Sequence, residues 1–249
     1  MTGGFEPEAF ASLARLEEGS FWFQARNELI VWALSTYVPT ASSFLEVGCG
    51  TGFVLRAIAS ARPGIRLTGS ELFAEGLEHA AKRVPEATLV QLDARAMPFE
   101  EEFDAVGAFD VLEHVDDDGA ALDGCRRALR RGGTLLATVP QHPWLWSGAD
   151  DYAHHVRRYR RRELAAKLRG AGLEPIRMTS FVSLLLPLMA ASRIAEQRSR
   201  RPYDPVGEHE RSAGLRRPLQ AVMRLEAALI HRGASLPAGG SLLAVAVRR

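Results

Sequence analysis

Three glycines and an acid within seven residues carry the first chemistry of this chain: Glu46-Val47-Gly48-Cys49-Gly50-Thr51-Gly52. Glycine tolerates positive φ and lets backbone approach a ligand where a side chain would clash. The apolar pair Phe44-Leu45 leads in, and the apolar helical pattern of Phe53 to Ile58 follows. That order makes a strand, a tight turn and a helix, and in an open α/β sheet such turns lie at the carboxyl edge, where ligands bind. The dinucleotide phosphate fingerprint needs Gly or Ala at the position after Gly52, and Phe53 stands there. Glu46 adds negative charge beside the turn, which suits a ligand of cationic character better than a pyrophosphate. A second acid, Glu71, ends the next strand-like stretch, 21 residues after Gly50. Its place matches the acid that binds a ribose diol in nucleoside-binding α/β folds, and a carboxylate accepts from both hydroxyls. The same acid can cap the next helix. A third group lies further on: His114, His142, Asp150, Asp151, His154 and His155, interleaved with Trp144, Trp146, Tyr152 and Tyr159. These are candidate bases and aromatic walls for a second ligand.

The elements that must position these residues alternate between strand and helix, which argues for a parallel sheet. Helical spacing of apolar residues predicts helices over 5–18 and 22–37, closed by Pro39 and Ser42-Ser43. Strands follow at 43–48, 65–70, 87–91, 103–109, 134–139, 174–180 and 241–247. Helices are predicted at 52–61, 73–83, 117–130, 161–170 and 215–231. Residues 140–159 read as a long aromatic, His-rich loop, and 197–213 as a polar, Arg/Pro-rich linker.

At 249 residues and 47% hydrophobic, the chain suits one α/β domain with a substantial core rather than two. Thirty-one basic against 30 acidic residues leave a net charge of +1, so nothing global points to nucleic acid. Cys49 and Cys125 form no metal-type spacing and no disulfide framework, which favours a reducing compartment. The start lacks the basic and apolar regions of a signal peptide, and a cytoplasmic protein is expected. Met178 to Ser192 is uncharged and strongly apolar, yet shorter than the ~20 residues a membrane span needs. It contains Pro187. A strand end followed by a buried or lid helix is favoured there over shallow membrane contact.

The segment Glu46 to Gly52 closely resembles the first motif of class I S-adenosylmethionine-dependent methyltransferases. Two further segments resemble that family in order and spacing: Gln91-Leu92-Asp93-Ala94, and Phe103 to Phe109 continuing through Asp110-Val111-Leu112-Glu113-His114-Val115. The resemblance covers roughly 44–180 and the last strand. It implies a Rossmann-like three-layer α/β sandwich with a seven-stranded, mostly parallel sheet and an antiparallel last strand. It also implies an N-terminal helical cap (1–40), a cofactor-binding core (41–180), a helical lid or insertion (181–238) and a final strand (239–249). S-adenosylmethionine is the cofactor implied. Gly48, Cys49, Gly50 and Gly52 would form its floor, Glu46 would meet the methionine end, and Glu71 the ribose. Leu72 would flank the adenine, Asp93 would accept from its amino group, and the Ala94 N–H would read a ring nitrogen. Phe109 and Asp110 would lie near the methionine portion. Trp22 and Arg26, on the cap, would close over the cofactor with Arg26 pairing its carboxylate.

The resemblance implies methyl transfer to a small molecule. His114 is the leading candidate base, since it follows Phe109 by little more than a helical turn. His142, Trp144, Trp146, Tyr152, His154, His155 and Tyr159 are candidate acceptor contacts and suit an aromatic or hydrophobic metabolite. A sugar or lipid-linked acceptor, or a methyltransferase-like protein without chemistry, is the alternative. The run Arg157-Arg158-Tyr159-Arg160-Arg161-Arg162 opposes the dipole of the helix it begins; it reads as basic surface, part of it scaffold.

Overall fold

The computed structural model describes residues 9–199 and 216–249. The predicted helical residues 5–8, most of the linker at 197–213 and the lid residues between 200 and 215 lie outside them. The N-terminal cap is α1 (Ala9–Gly19) and α2 (Phe21–Tyr37). The core then runs β1 (Ser43–Val47), α3 (Phe53–Ala61), β2 (Arg66–Glu71), α4 (Ala74–Arg83), β3 (Thr88–Gln91), β4 (Phe103–Phe109) and α5 (Asp118–Ala128). It continues through β5 (Leu129–Pro140), α6 (Gly148–Tyr152), α7 (Arg161–Gly170) and β6 (Leu173–Phe181). The lid helices α8 (Leu186–Ser199) and α9 (Arg216–His231) precede β7 (Ser241–Arg248).

The seven strands form one sheet in the order β3-β2-β1-β4-β5-β7-β6. β1 to β5 pair in parallel, and β7 lies antiparallel between β5 and β6. Alternate strand residues face opposite sides. Phe44 joins a core cluster with residues of α2, α3, α4 and α9, while Leu45 joins one with residues of α5 and α7. Helices therefore cover both faces, giving the three-layer Rossmann-like sandwich. From β1 the chain builds one way through β2 and β3, then returns to add β4 on the other side. That reversal opens a crevice at the carboxyl ends of β1 and β4.

Three segments depart from the sequence reading. The helix expected over 117–130 stops at Ala128, and β5 begins at Leu129, five residues before Thr134. Gly132, at φ +76°, and Gly133 let the strand bulge there, since a Cβ on Gly133 would lie 2.9 Å from the Arg130 carbonyl oxygen. The 140–159 loop contains α6, begun by a capping box in which Ser147 and Asp150 each accept the other's backbone N–H. The arginine run is largely internal wiring: Arg157 pairs with Asp118, Arg158 with Asp150, and Arg161 donates to the Met178 and Leu236 carbonyls.

The apolar run ends β6, bends at Val182 (φ +58°) and begins α8. Pro187 sits in the first turn of that helix, where its missing N–H breaks no helical bond. Among the described residues no helix is long and apolar enough to cross a membrane. α9 holds the start of the lid in place. The buried Glu226 carboxylate accepts from Ser183 N at 2.6 Å and Leu184 N at 2.7 Å. Glu226→Ala is expected to strand two amide donors and destabilise the fold by about 1.5–3 kcal/mol, the usual worth of a hydrogen bond to a charged group. Urea denaturation measures that loss, and faster amide exchange at Ser183 and Leu184 localises it.

Candidate active site

The glycine turn closes the carboxyl end of β1, and its three glycines are needed for three different reasons. Gly48, at φ +66°, packs so closely that a Cβ would lie 2.5 Å from Val111 Cγ2. Gly52, at φ +77°, would bring a Cβ within 2.9 Å of the Ala80 backbone on α4. Gly50 has φ +51° and faces open space, with no atom within 4 Å of where a Cβ would sit. Its N–H donates to Glu71 Oε2 at 2.9 Å. The other oxygen of Glu71 accepts from Leu72 N at 2.8 Å and Phe73 N at 3.3 Å. Burial raises the pKa of Glu71, and these three donors oppose the rise.

Glu46 is almost fully buried. Burial pushes its pKa well above the ordinary value, with Arg26 pulling the other way. Its Oε2 has no hydrogen-bond partner, and the residue lines the same cavity as the turn. Arg26, on α2, forms an ion pair with Asp110, whose φ is +55°. Its guanidinium carbon lies 5.0 Å from the Trp22 ring centre and 5.2 Å from that of Phe23. Asp93 caps the short turn after β3 and pairs with Arg95, which holds its carboxyl below the usual range.

These groups surround one cavity of about 890 Å³, within the range of small-molecule sites. Of the residues singled out from sequence, Trp22, Arg26, Glu46, Gly48, Cys49, Gly50, Glu71, Leu72, Asp93, Ala94, Phe109 and Asp110 line it, as do His114, Tyr152 and His155. Gly52, His142, Trp144, Trp146, His154 and Tyr159 lie outside it. Tyr159 is fully buried in the core on the α5 side, its hydroxyl donating to the Leu112 carbonyl and Asp118. Trp144 is 57% exposed beside His142. Trp146 donates to Asp151, and His154 turns outward at φ +54°.

Leu188 and Met189 of the cavity lining belong to the apolar run expected to form a lid, and Arg158 to the arginine run; Phe10 and Leu13 of α1 were not singled out from sequence, nor was Glu113. Glu113 is the most informative of them. It is wholly buried, neither carboxylate oxygen has a partner, and burial with Asp110 nearby raises its pKa well above normal. Its neighbour His114 was noticed for its ring; only the folded loop shows the acid turned inward as well.

His114 is largely buried, and desolvation lowers its pKa to about 3, with His155 contributing. The two rings meet edge to face with centroids 4.7 Å apart. Glu113, His114 and His155 each bring a side-chain nitrogen or oxygen within 4.8 Å of the others. His155 Nδ1 lies 2.8 Å from Asp150 Oδ1. Burial would raise the pKa of Asp150, but His155 and Arg158 outweigh it and hold it at about 2.

Residues 45–137 match a family described as a methyltransferase domain. The chain is 33% identical to a ubiquinone biosynthesis O-methyltransferase of Xanthomonas axonopodis pv. citri, over 55% of this chain and 64% of that protein. It is 29% identical to a probable S-adenosylmethionine-dependent methyltransferase of Mycobacterium tuberculosis, over 66% of this chain and 59% of that protein. For the first relatives the match spans 41% to 64% of their own length. A structure from Haloferax volcanii, of a methyltransferase in complex with the Trm112 activator, aligns with a TM-score of 0.63 at 20% identity, over 98% of both chains. Residues 45–137 carry a methyltransferase domain, and the motif order, the strand order and the sequence relatives agree with the S-adenosylmethionine-dependent class.

Proposed function

We propose that this protein transfers a methyl group from S-adenosylmethionine to the O–H group of an aromatic or otherwise hydrophobic small molecule. The observation that carries this is a single cavity whose one side is the glycine cradle and whose other side is apolar lid. Leu185, Leu188 and Met189 of the lid and Leu219 of α9 face the same space as Gly48 and Glu46. The O-methyltransferase name of the Xanthomonas relative supports an oxygen acceptor.

The residues fit the cofactor. The unpartnered Glu46 Oε2 is a buried acceptor that an ammonium group would satisfy. The space over Gly50 is free of side chains. Glu71 uses three backbone donors and keeps one of its roughly four lone-pair sites, on Oε2, for a ribose hydroxyl. Arg26 keeps Nε unpartnered beside its ion pair with Asp110, so a ligand carboxylate can share it. The half-exposed Leu72, with Asp93 and Ala94, would bracket the adenine. Bound there, the cofactor supplies an electrophilic methyl carbon. The chain's part is to hold the acceptor oxygen in line with it and to exclude water, and positioning of that kind accounts for much of such catalysis.

Formation of S-adenosylhomocysteine from pools of phenolic and alcoholic acceptors tests the reading. Absence of turnover in every pool, with the cofactor bound, refutes it. Gly50→Val puts a β-branched side chain at positive φ and fills the cradle. Cofactor affinity is expected to fall at least tenfold, about 1.4 kcal/mol, with an unchanged circular dichroism spectrum; calorimetry decides.

The raised pKa of Glu46 gives a pH prediction. A cationic ligand favours the ionised carboxylate, so at a pH below the raised pKa of Glu46 binding releases a proton. Affinity should rise with pH until the raised pKa of the free protein is passed, and then level off. Glu46→Gln should weaken binding and flatten that dependence. Calorimetry in buffers of different ionisation enthalpy counts the proton released.

A further inference from the structure

We infer that His155, oriented by Asp150, is the general base that removes the acceptor's proton, in place of His114. The inference rests on the proposed O–H acceptor. The geometry is a linked chain. Ser147 donates its backbone N–H and its hydroxyl to Asp150 Oδ2, at 2.9 and 3.1 Å. Arg158 Nε reaches Oδ1 at 2.7 Å, and His155 Nδ1 reaches the same oxygen at 2.8 Å. Asp150 is 1% exposed. A charged carboxylate is an acceptor only, so Nδ1 must carry a hydrogen, and in the neutral ring Nε2 then holds the lone pair.

The backbone pins the ring as well. His155 N donates to the Asp150 carbonyl at 2.9 Å, and Val156 N to the Glu113 carbonyl at 2.8 Å. His155 borders the cavity beside Glu113 and His114, where an acceptor would lie.

The neighbouring groups are poorer bases. His114 is held neutral by burial and has little affinity for a proton. Burial and Asp110 raise the pKa of Glu113 and so disfavour the ionised form that a base needs. His154 and His142 lie outside the cavity. Among the described residues, the charged or titratable groups grouped with the His155 ring are Asp150, Arg158, His114 and Glu113.

The step balances. The acceptor oxygen forms a bond to the methyl carbon, and the carbon–sulfur bond breaks with its electron pair going to sulfur, leaving S-adenosylhomocysteine. The O–H proton passes to His155 Nε2, and the imidazolium formed is stabilised by Asp150.

The test combines kinetics with nitrogen NMR of the histidine rings. His155→Gln should lower kcat by about 10²–10⁴-fold, leave cofactor affinity unchanged and remove the acid limb of the pH–rate profile. His114→Ala should retain that limb. In the wild type without ligand, His155 should show the Nδ1–H tautomer. Asp150→Asn should shift it toward Nε2–H, which lacks the lone pair on the reacting side, and kcat should fall with it. A His155→Gln enzyme with wild-type kcat, or a wild-type His155 in the Nε2–H tautomer, overturns the base assignment while methyl transfer stands. A wild-type enzyme that binds the cofactor but methylates no O–H acceptor overturns the function and the base together.

Discussion

The site is organised around one buried carboxylate. Glu71 takes the Gly50 N–H from the turn after β1 and the Leu72 and Phe73 N–H groups from the turn after β2. Backbone donors at tight turns have no sheet partner, and left buried they would each cost free energy. One acid at the end of β2 satisfies three of them and ties two neighbouring strand ends into a single edge. The glycines make the turn sterically allowed, and Glu71 makes it rigid. The cradle is thereby shaped before any ligand arrives, and pre-shaping of this kind lowers the ordering cost of binding.

Two other acids show the opposite arrangement. Glu46 and Glu113 are buried with unpartnered oxygens at the same cavity. A buried acceptor without a partner destabilises the fold, so its placement calls for an explanation in function. The cost is met in the rest of the domain by two closed hydrophobic layers, in which Phe44, Leu45, Leu55, Ile58, Leu122, Leu135 and Leu136 are wholly inaccessible. Acids whose pKa burial raises are also poised to exchange protons with an incoming ligand, and this is the basis of the pH dependence proposed for Glu46.

That the residues expected to hold the cofactor gather at one side of the cavity was legible in the sequence, because each of those parts is local. Glu46 to Gly52 is one turn, Glu71 ends one strand, and Asp93 and Phe109 follow fixed elements, so linear spacing carries the three-dimensional arrangement. The strands and most helices were legible for the same reason, through apolar periodicity. The opposite wall was legible only in part, because it is assembled from α1, the loop around α6, and α8: Tyr152, His155 and the apolar run of α8 were expected there and line the cavity, whereas His142, Trp144, Trp146, His154 and Tyr159 were expected there and do not. Side-chain direction within 140–159 depends on contacts made elsewhere. Tyr159 has the composition of an acceptor contact but turns into the core, drawn by Asp118 and the Leu112 carbonyl. The five arginines looked like a surface patch, yet Arg157 answers Asp118 on α5 and Arg158 the buried Asp150 of α6. The same contacts move candidate base character from His114 to His155, which no spacing rule could have separated.

The cap and the lid are joined to each other, and this links the two halves of the site. The α2 helix carries Trp22 and Arg26 on the cofactor side. On its other side Gln220 of α9 donates to Gln24 at 3.1 Å, and Trp32 stacks on His231 with centroids 4.9 Å apart. α9 in turn holds the start of α8 through Glu226. An unbroken series of contacts thus runs from the residues beside Glu46 to the apolar wall of the acceptor space. Ordering α2 against the cofactor would limit the positions open to α9 and α8, and an acceptor pressing on α8 would load the same helix from the far end. Because β7 lies between β5 and β6, it brings Gly240 and Ser241 back to the cavity rim, so the lid is anchored to the sheet on both sides. Variation in α8 and α9 can then change which acceptor fits while the Glu71-braced cradle keeps its shape.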